Sequence, residues 1–145
     1  MSGLLRRLWK FFMPGALSDT SRAELEAEGL LFLAENIGVR IHYRNFKAPG
    51  KRFWRRAEVT IGTFALTTQR IVGYAFRRTV LELPYSGPAF EAVRFSIASS
   101  KYLSARFDPS VFDPRQSGEM ELRFVLPHAD LLRVDSQLRQ GPARR

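Results

Sequence analysis

The chain has no cysteine, which excludes disulfides, thiolate metal sites and a cysteine nucleophile, and favours an intracellular location. It has no apolar run of about 18 residues, so no segment is expected to span a bilayer. His42 and His128 are its only histidines, and the glycine-rich phosphate loop and the G-x-S-x-G and H-E-x-x-H motifs are missing. The sequence therefore predicts a protein that is not an enzyme and needs no metal or other cofactor.

Acidic residues are scarce as well: 14 of them stand against 23 basic residues, which gives a formal net charge of +9. The length of 145 residues suits a single domain, and the 45% of apolar residues is enough for a packed core. The excess of basic residues favours an anionic polymer or an anionic membrane surface as the partner.

After Gly29 the hydrophobic pattern has the period of two that a strand with one buried face requires. It is clearest in "VRIHYRNF", and we interpret the preceding "LLFLAENI" as strand too. Further strands are predicted around 56–66 and 70–77, and in "TVLELPY", "AVRFSIASS", "YLSARFD" and "GEMELRFVL". Pro127 opens a predicted helix over 128–139. The fold is therefore expected to be mainly β, a small antiparallel barrel or sandwich closed by a C-terminal helix, with one or two short N-terminal helices.

The alternation also predicts which side chains form the core. The strand residues expected to be buried are Leu66, Ile71, Val93, Phe95, Ile97, Leu122 and Phe124. The C-terminal helix should pack across one open end of the barrel through Leu131, Val134 and Leu138. The repeated Phe-Asp-Pro in "FDPSVFDP" indicates two turns capped by Asp108 and Asp113, which we prefer to a cation site.

Residues 4–13 predict an amphipathic helix that Pro14 and Gly15 end. Its wide apolar face and narrow basic face comprise Leu4, Leu5, Arg6, Arg7, Leu8, Trp9, Lys10, Phe11, Phe12 and Met13. We expect the helix to be retained, because no A-x-A cleavage pattern follows it. It suits a membrane-surface anchor, although it could also cover the protein's own barrel or a partner subunit.

Ser21 and Glu24 form a capping box for a second short helix over about 21–28, which is thinly apolar and resembles a spacer. The expected organisation is thus an N-terminal helical segment at 1–28, a β domain at 29–140 and a disordered tail at 141–145.

The segment "GTFALTTQRIVGY" at 62–74 ends one strand in Leu66 and Thr67 and resumes with Arg70 and Ile71. Thr67 is expected to cap the free amides of the turn, while Arg70 sits at the outer edge. With the order of elements over roughly 28–140, this segment resembles the pleckstrin-homology-like (PH-like) superfamily, in particular the bacterial PH and GRAM-type domains. The N-terminal extension and the short closing helix depart from that pattern.

Between Asn36 and Ala57 the chain carries seven basic residues and no acid, interleaved with Phe46, Phe53 and Trp54. Pro49 and Gly50 place this run in a hairpin loop. The resemblance implies that this loop binds phosphorylated lipid headgroups, and the aromatic residues favour a membrane interface, Trp54 among them. The candidate lipid-binding residues are Arg40, Arg44, Lys47, Lys51, Arg52, Arg55 and Arg56.

The sequence thus predicts a non-enzymatic module at the cytoplasmic face of an anionic membrane. The alternative is a protein-interaction module that binds an acidic or apolar partner chain, or that self-associates through the N-terminal helix. Nucleic acid is the less favoured anion, since the aromatic strand pattern of RNA-recognition domains and a basic recognition helix are both missing.

Overall fold

The computed structural model describes residues 16–140, which contain seven strands, three α-helices and one 3-10 helix. The predicted helix at 4–13 and the predicted disordered tail at 141–145 both lie outside the described residues. In chain order the elements are α1 (Asp19–Ala27), β1 (Leu30–Ala48), β2 (Lys51–Thr67), β3 (Arg70–Ala75), β4 (Arg78–Pro84), α2 (Pro88–Ala92), β5 (Arg94–Ala98), β6 (Tyr102–Phe107), the 3-10 helix (Pro109–Val111), β7 (Ser117–Val125) and α3 (His128–Gln140).

The seven strands form one antiparallel sheet in the order β4-β3-β2-β1-β7-β6-β5. This confirms the mainly β, antiparallel prediction. The sheet is not a closed barrel, because β4 and β5 end the strand order and do not pair with each other within residues 16–140. Helix α2 contacts β4 and helix α3 contacts β5, so helices rather than a strand pair lie against the two end strands.

The main core lies on one face of this sheet, under α3. Leu66, Ile71, Leu122 and Phe124 are all fully buried there, and Val93 is nearly so, as predicted. Helix α3 contributes its predicted apolar face, with Leu131 and Val134 buried and Leu138 partly buried. Phe95 and Ile97 are only partly buried, contrary to prediction, because β5 has a neighbouring strand on one side alone.

Helix α1 packs on the opposite face of β2 and β3. A second apolar cluster joins Leu17 and Leu25 to Ala65, Val72 and Tyr74. The interpretation of this helix as a spacer is therefore wrong, since Leu25 is completely enclosed. Alternation explains the two-sided burial, because Ala65 and Val72 pair across β2 and β3 and point away from the main core.

The N-cap of α1 also differs from the prediction. Ser18 is the cap, and its Oγ accepts a hydrogen bond from the backbone N–H of Ser21 at 3.1 Å, so the helix starts at Asp19 rather than at about residue 21. Ser18 is the residue immediately before the first helical turn, and its side-chain oxygen accepts from a backbone N–H of that turn, as is usual for an N-cap. An Arg22–Glu35 ion pair then fastens the helix to β1.

The turn between β2 and β3 has the predicted geometry. Thr67 Oγ1 accepts hydrogen bonds from the backbone N–H groups of Gln69 at 3.1 Å and Arg70 at 3.0 Å. Arg70 lies at the outer edge and pairs with Glu28 after α1 at 2.8 Å and with Glu82 on β4. One arginine therefore joins the end of α1 to two strands. The hydrogen bonds from Arg70 lower the pKa of the Glu28 carboxyl below its usual value.

Candidate functional site

The sequence predicted a loop for the basic run, but the run forms two paired strands. β1 and β2 pair from Leu30 and Thr67 outwards to Ala48 and Lys51, so that only Pro49 and Gly50 form the turn. β3 pairs with β2 only over residues 62–66. The outer half of the β1–β2 hairpin therefore projects beyond β3, and β2 has an open edge there.

Aromatic side chains hold this projecting hairpin together. Phe46 and Phe53 pair across the strands and stack at 5.8 Å between ring centroids, and Tyr43 packs edge-on against both, at 5.0 and 5.5 Å. Such cross-strand aromatic pairs stabilise a hairpin well beyond its turn. Trp54 differs, since 78% of its surface is exposed. Of the four aromatic residues in the run, only Trp54 is exposed.

All seven candidate basic residues are exposed, but the pairing divides them between the two faces of the hairpin. Side chains that pair across strands share a face. Arg56 pairs with Tyr43 on the inner face, which continues into the main core, whereas Arg44 pairs with Arg55 on the outer face. The structure therefore brings the seven residues together on one hairpin but does not place all of them in one pocket.

The inner face opens into a cleft of about 800 Å³ between the hairpin, the start of β4 and the segment before β7, which we call the inner cleft. Lys51 and Arg56 line it from the hairpin, and Arg78 and Arg115 line it from the other side. Sequence reasoning missed both of the latter, because they come from distant turns. Arg56 pairs with Glu58 at 3.2 Å, whereas Lys51 and Arg78 form no ion pair within residues 16–140.

The two Phe-Asp-Pro segments form turns as predicted, and Asp113 of the second turn lines the inner cleft. Asp108 accepts a hydrogen bond from the backbone N–H of Ser110 at 2.9 Å, and Asp113 accepts one from that of Arg115 at 3.0 Å. The guanidinium of Arg115 also binds Asp113, which lowers the pKa of that carboxyl. Both aspartates thus act as turn caps. Within residues 16–140 no cluster of histidine and acidic residues is arranged to hold a metal ion.

The outer face carries a second concavity of about 390 Å³, which we call the outer cavity. Strand register builds it: Arg55, Arg44 and Glu119 form one row across β2, β1 and β7. The next row consists of Ala57, His42, Glu121 and Arg106. Arg123 of β7 also lines it. Sequence reasoning identified Arg44, Arg55 and Arg56, which all line the outer cavity. It could not place Arg106 and Arg123 beside them.

Glu121 is the centre of the polar network in the outer cavity. Its residue exposure is only 7%, and it accepts hydrogen bonds from Ser104 Oγ at 2.5 Å, Arg106 Nε at 3.2 Å and Arg123 Nε at 3.0 Å. Burial alone would raise the pKa of this carboxyl, but the hydrogen bonds and the arginine charges lower it. Arg123 is fixed further by Tyr102, whose ring it covers at 5.0 Å. Glu121 is therefore ionised, its negative charge is offset by the two arginines, and it holds their side chains in place.

His42 lies beside Glu121 in the register. Its Nε2 is buried and has no hydrogen-bond partner within residues 16–140. Burial and the positive charge of Arg123 hold the pKa of this imidazole below its usual value, so the neutral form is favoured. His128 is exposed at the start of α3, far along the chain from this network.

Comparison with protein-family models, curated proteins and solved structures finds no match for this chain. The resemblance to PH-like domains therefore stays a prediction that rests on the turn at 67–70 and on the order of elements.

Proposed function

We propose that this protein is a non-enzymatic, PH-like module that attaches peripherally to an anionic membrane through the β1–β2 hairpin. One observation carries the proposal: seven exposed basic side chains and one exposed tryptophan lie on a hairpin that projects beyond its neighbouring strand. The seven-strand antiparallel sheet followed by a C-terminal helix supports the PH-like assignment.

The electrostatics of the hairpin suit reversible attachment. A basic residue near an anionic leaflet contributes about 1 kcal/mol. Arg40, Arg44, Lys47, Lys51, Arg52 and Arg55 form no ion pair within residues 16–140, so their charges are available to lipid phosphates. None of the described helices is long and apolar enough to cross a bilayer. We propose the cytoplasmic face of the inner membrane as the surface that is bound.

Trp54 supplies the apolar part of the contact. An indole ring prefers the boundary between headgroups and acyl chains. Trp54 lies five residues beyond Pro49 at the turn, on the outer half of the hairpin, so it can reach that boundary while the flanking arginines stay with the phosphates. The predicted N-terminal helix, with its wide apolar face, would add a second anchor of the same kind.

Vesicle sedimentation tests the proposal directly. The full chain should bind vesicles that contain anionic phosphatidylglycerol and should not bind vesicles of neutral phosphatidylcholine. Raising the salt from about 0.1 M to about 1 M shortens the Debye length from about 10 Å to about 3 Å and should release most of the protein. Equal binding to both vesicle types, or binding that ignores salt, contradicts the proposal.

A second candidate function is supported by the open edge of β2. Within residues 16–140 no strand pairs with this edge between Lys51 and Ile61, and Val59 on it is 76% exposed. An open edge is a template for strand addition by another chain, and the basic residues around it favour an acidic partner. Salt-sensitive binding to an acidic peptide, with no binding to anionic vesicles, would support this function instead.

A further inference from the structure

We propose that the outer cavity is a binding site for a phosphate monoester, held by Arg44, Arg55 and Arg106. Where the phosphate belongs to a lipid, this proposal rests on the proposed membrane function. It adds the chemistry of the headgroup that the hairpin selects. The same chemistry occurs in a free phosphate ester, and the experiment below separates the two sources.

The first support is a pair of like charges in a cross-strand row that holds one acid, Glu119. Arg44 and Arg55 lie directly opposite each other on β1 and β2, both exposed, and neither forms an ion pair within residues 16–140. Like charges directly opposite each other destabilise a sheet. A bound anion between the two guanidinium groups would turn this repulsion into two charge-assisted hydrogen-bonded contacts.

The opposite wall supplies a third guanidinium. Arg106 donates to Glu121 through Nε alone, and its terminal nitrogens make no hydrogen bond within residues 16–140. The guanidinium nitrogens of Arg123, by contrast, contact Glu121 and the hydroxyl of Tyr102. Arg123 is therefore a positioning residue that neutralises Glu121, whereas Arg106 keeps donors for a ligand.

The charge around the outer cavity stays positive after its acids are counted. Arg123 already offsets the charge of Glu121, and Glu119 is the other acid in the lining. Three guanidinium groups with free donors therefore face one exposed carboxylate. The surplus favours an anion, and the number of donors favours one with several acceptor oxygens.

Size and chemistry narrow the ligand to a phosphate monoester. A volume of about 390 Å³ lies toward the small end of known ligand sites, which range over about 300–1,000 Å³. A monoester presents three terminal oxygens and about −1.5 to −2 charge near pH 7, so it can meet all three arginines. A phosphodiester has only two terminal oxygens and a single charge, so it offers the three arginines fewer acceptors and less negative charge.

The matched variants are R44Q/R55Q and K47Q/R52Q. Lys47 and Arg52 form the next cross-strand basic pair toward the turn, and both are exposed, but neither lines the outer cavity. Each double variant removes the same charge from the same hairpin. Only R44Q/R55Q removes it from the proposed site.

The first arm uses glycerol 3-phosphate, added to the full chain at constant ionic strength, with the His42 imidazole resonances as the reporter. The wild type and K47Q/R52Q should show a saturable shift, and R44Q/R55Q should bind about tenfold more weakly or lose the shift. The absence of a saturable shift in the wild type, or an equal loss in both variants, overturns the site.

The second arm uses vesicles of equal surface charge that contain either phosphatidic acid, a monoester, or phosphatidylglycerol, a diester. With a lipid as the source, the wild type and K47Q/R52Q should prefer phosphatidic acid by about tenfold, and R44Q/R55Q should lose the preference. If the ester titrates but the vesicles bind equally, the source is a free phosphate ester. If the ester titrates and no vesicle binds, the site stands and the proposed membrane function fails.

Discussion

Single side chains decide the local geometry of this fold, and Thr67 shows how far one residue reaches. Its hydroxyl accepts from two backbone N–H groups of the β2–β3 turn and donates to Glu28, although the residue itself is fully buried. Leu66 and Ile71 on either side of the turn depend on that geometry to enter the core. The sequence revealed this role, because a threonine at a strand end is a known turn cap.

Replacing Thr67 with valine tests the turn. The substitution keeps the shape of the side chain but leaves two amides of a partly buried turn without their acceptor, which should lower the free energy of unfolding by about 1–3 kcal/mol. Chemical denaturation measures the loss. T79V, at an exposed position of β4, is the control and should change stability by less than about 0.5 kcal/mol. Similar losses in both variants would contradict the role of Thr67.

His42 gives a pH dependence whose sign follows from its surroundings. Burial, and then the charge of Arg123, disfavour the imidazolium, so the pKa of His42 in the folded protein lies below the ordinary 6.5. The unfolded chain therefore binds the proton more readily, and stability that is complete above pH 6.5 declines as the pH falls toward the folded pKa. Further loss comes at lower pH, where Glu28 and Glu121, whose pKa values are also lowered, accept protons.

NMR titration of an H128Q variant, which leaves His42 as the only histidine, measures this pKa. We expect a midpoint below 6.5, and H42Q should remove the part of the pH dependence of stability that lies nearest neutrality. A midpoint at or above the ordinary value would show that the site is more open to water than its burial indicates.

At the scale of elements, the alternation of apolar and polar residues was enough to predict all or part of each of the seven strands in residues 16–140, and helix α3. It was not enough for the outer half of the hairpin, because the basic residues and Pro49–Gly50 look like a loop when taken alone. The β1–β2 register continues unshifted through this half, from Arg44 opposite Arg55 to Phe46 opposite Phe53, and the aromatic cluster stabilises it. The pairing of β1 with β7 is irregular there: Asn45 adopts a positive φ of 50°, and the register shifts between Arg44 and Lys47.

Gly118 on β7 accommodates this irregularity. Its φ is 109°, and a Cβ at this position would lie 2.3 Å from the carbonyl oxygen of Asn45. We expect G118A to lower the free energy of unfolding by about 1–3 kcal/mol, from both backbone strain and the clash. Gly87 is the matched control, since its φ is 111° and a Cβ there would meet nothing within 4 Å. Thermal unfolding of the two variants should therefore show a larger loss for G118A than for G87A, and equal losses would contradict the close approach.

The predicted N-terminal helix is expected to serve as an anchor rather than as part of the β domain. Within residues 16–140 the main core and the α1 cluster draw on residues from Leu17 onward. Deleting residues 1–13 should therefore leave the cooperative unfolding of the β domain intact and reduce binding to anionic vesicles. Circular dichroism melting and vesicle sedimentation measure the two effects. A deletion that unfolds the domain would instead assign the helix to the protein's own core.

At the scale of the whole molecule, the charge excess was visible in the sequence but its arrangement was not. The acid-free run predicted seven exposed basic residues, and the structure places all seven on the surface. The inner cleft and the outer cavity could not be predicted, since each combines the hairpin with arginines that are more than 20 residues away in the chain: Arg78 and Arg115 on one side, and Arg106 and Arg123 on the other. These arginines are brought close to the hairpin only by the order and register of the strands, which a single sequence does not specify.

The most direct measurement of the central claim is cosedimentation of two charge-reversal variants with phosphatidylglycerol vesicles. K51E/R52E changes the end of the hairpin, and R94E/K101E makes the same change in net charge at exposed positions outside it. At about 1 kcal/mol per basic residue, K51E/R52E should bind at least about tenfold more weakly than R94E/K101E. Both should melt within a few degrees of the wild type, because exposed charges contribute little to stability. If the two variants bind equally well, the hairpin is not the membrane contact, and net charge alone accounts for any vesicle binding.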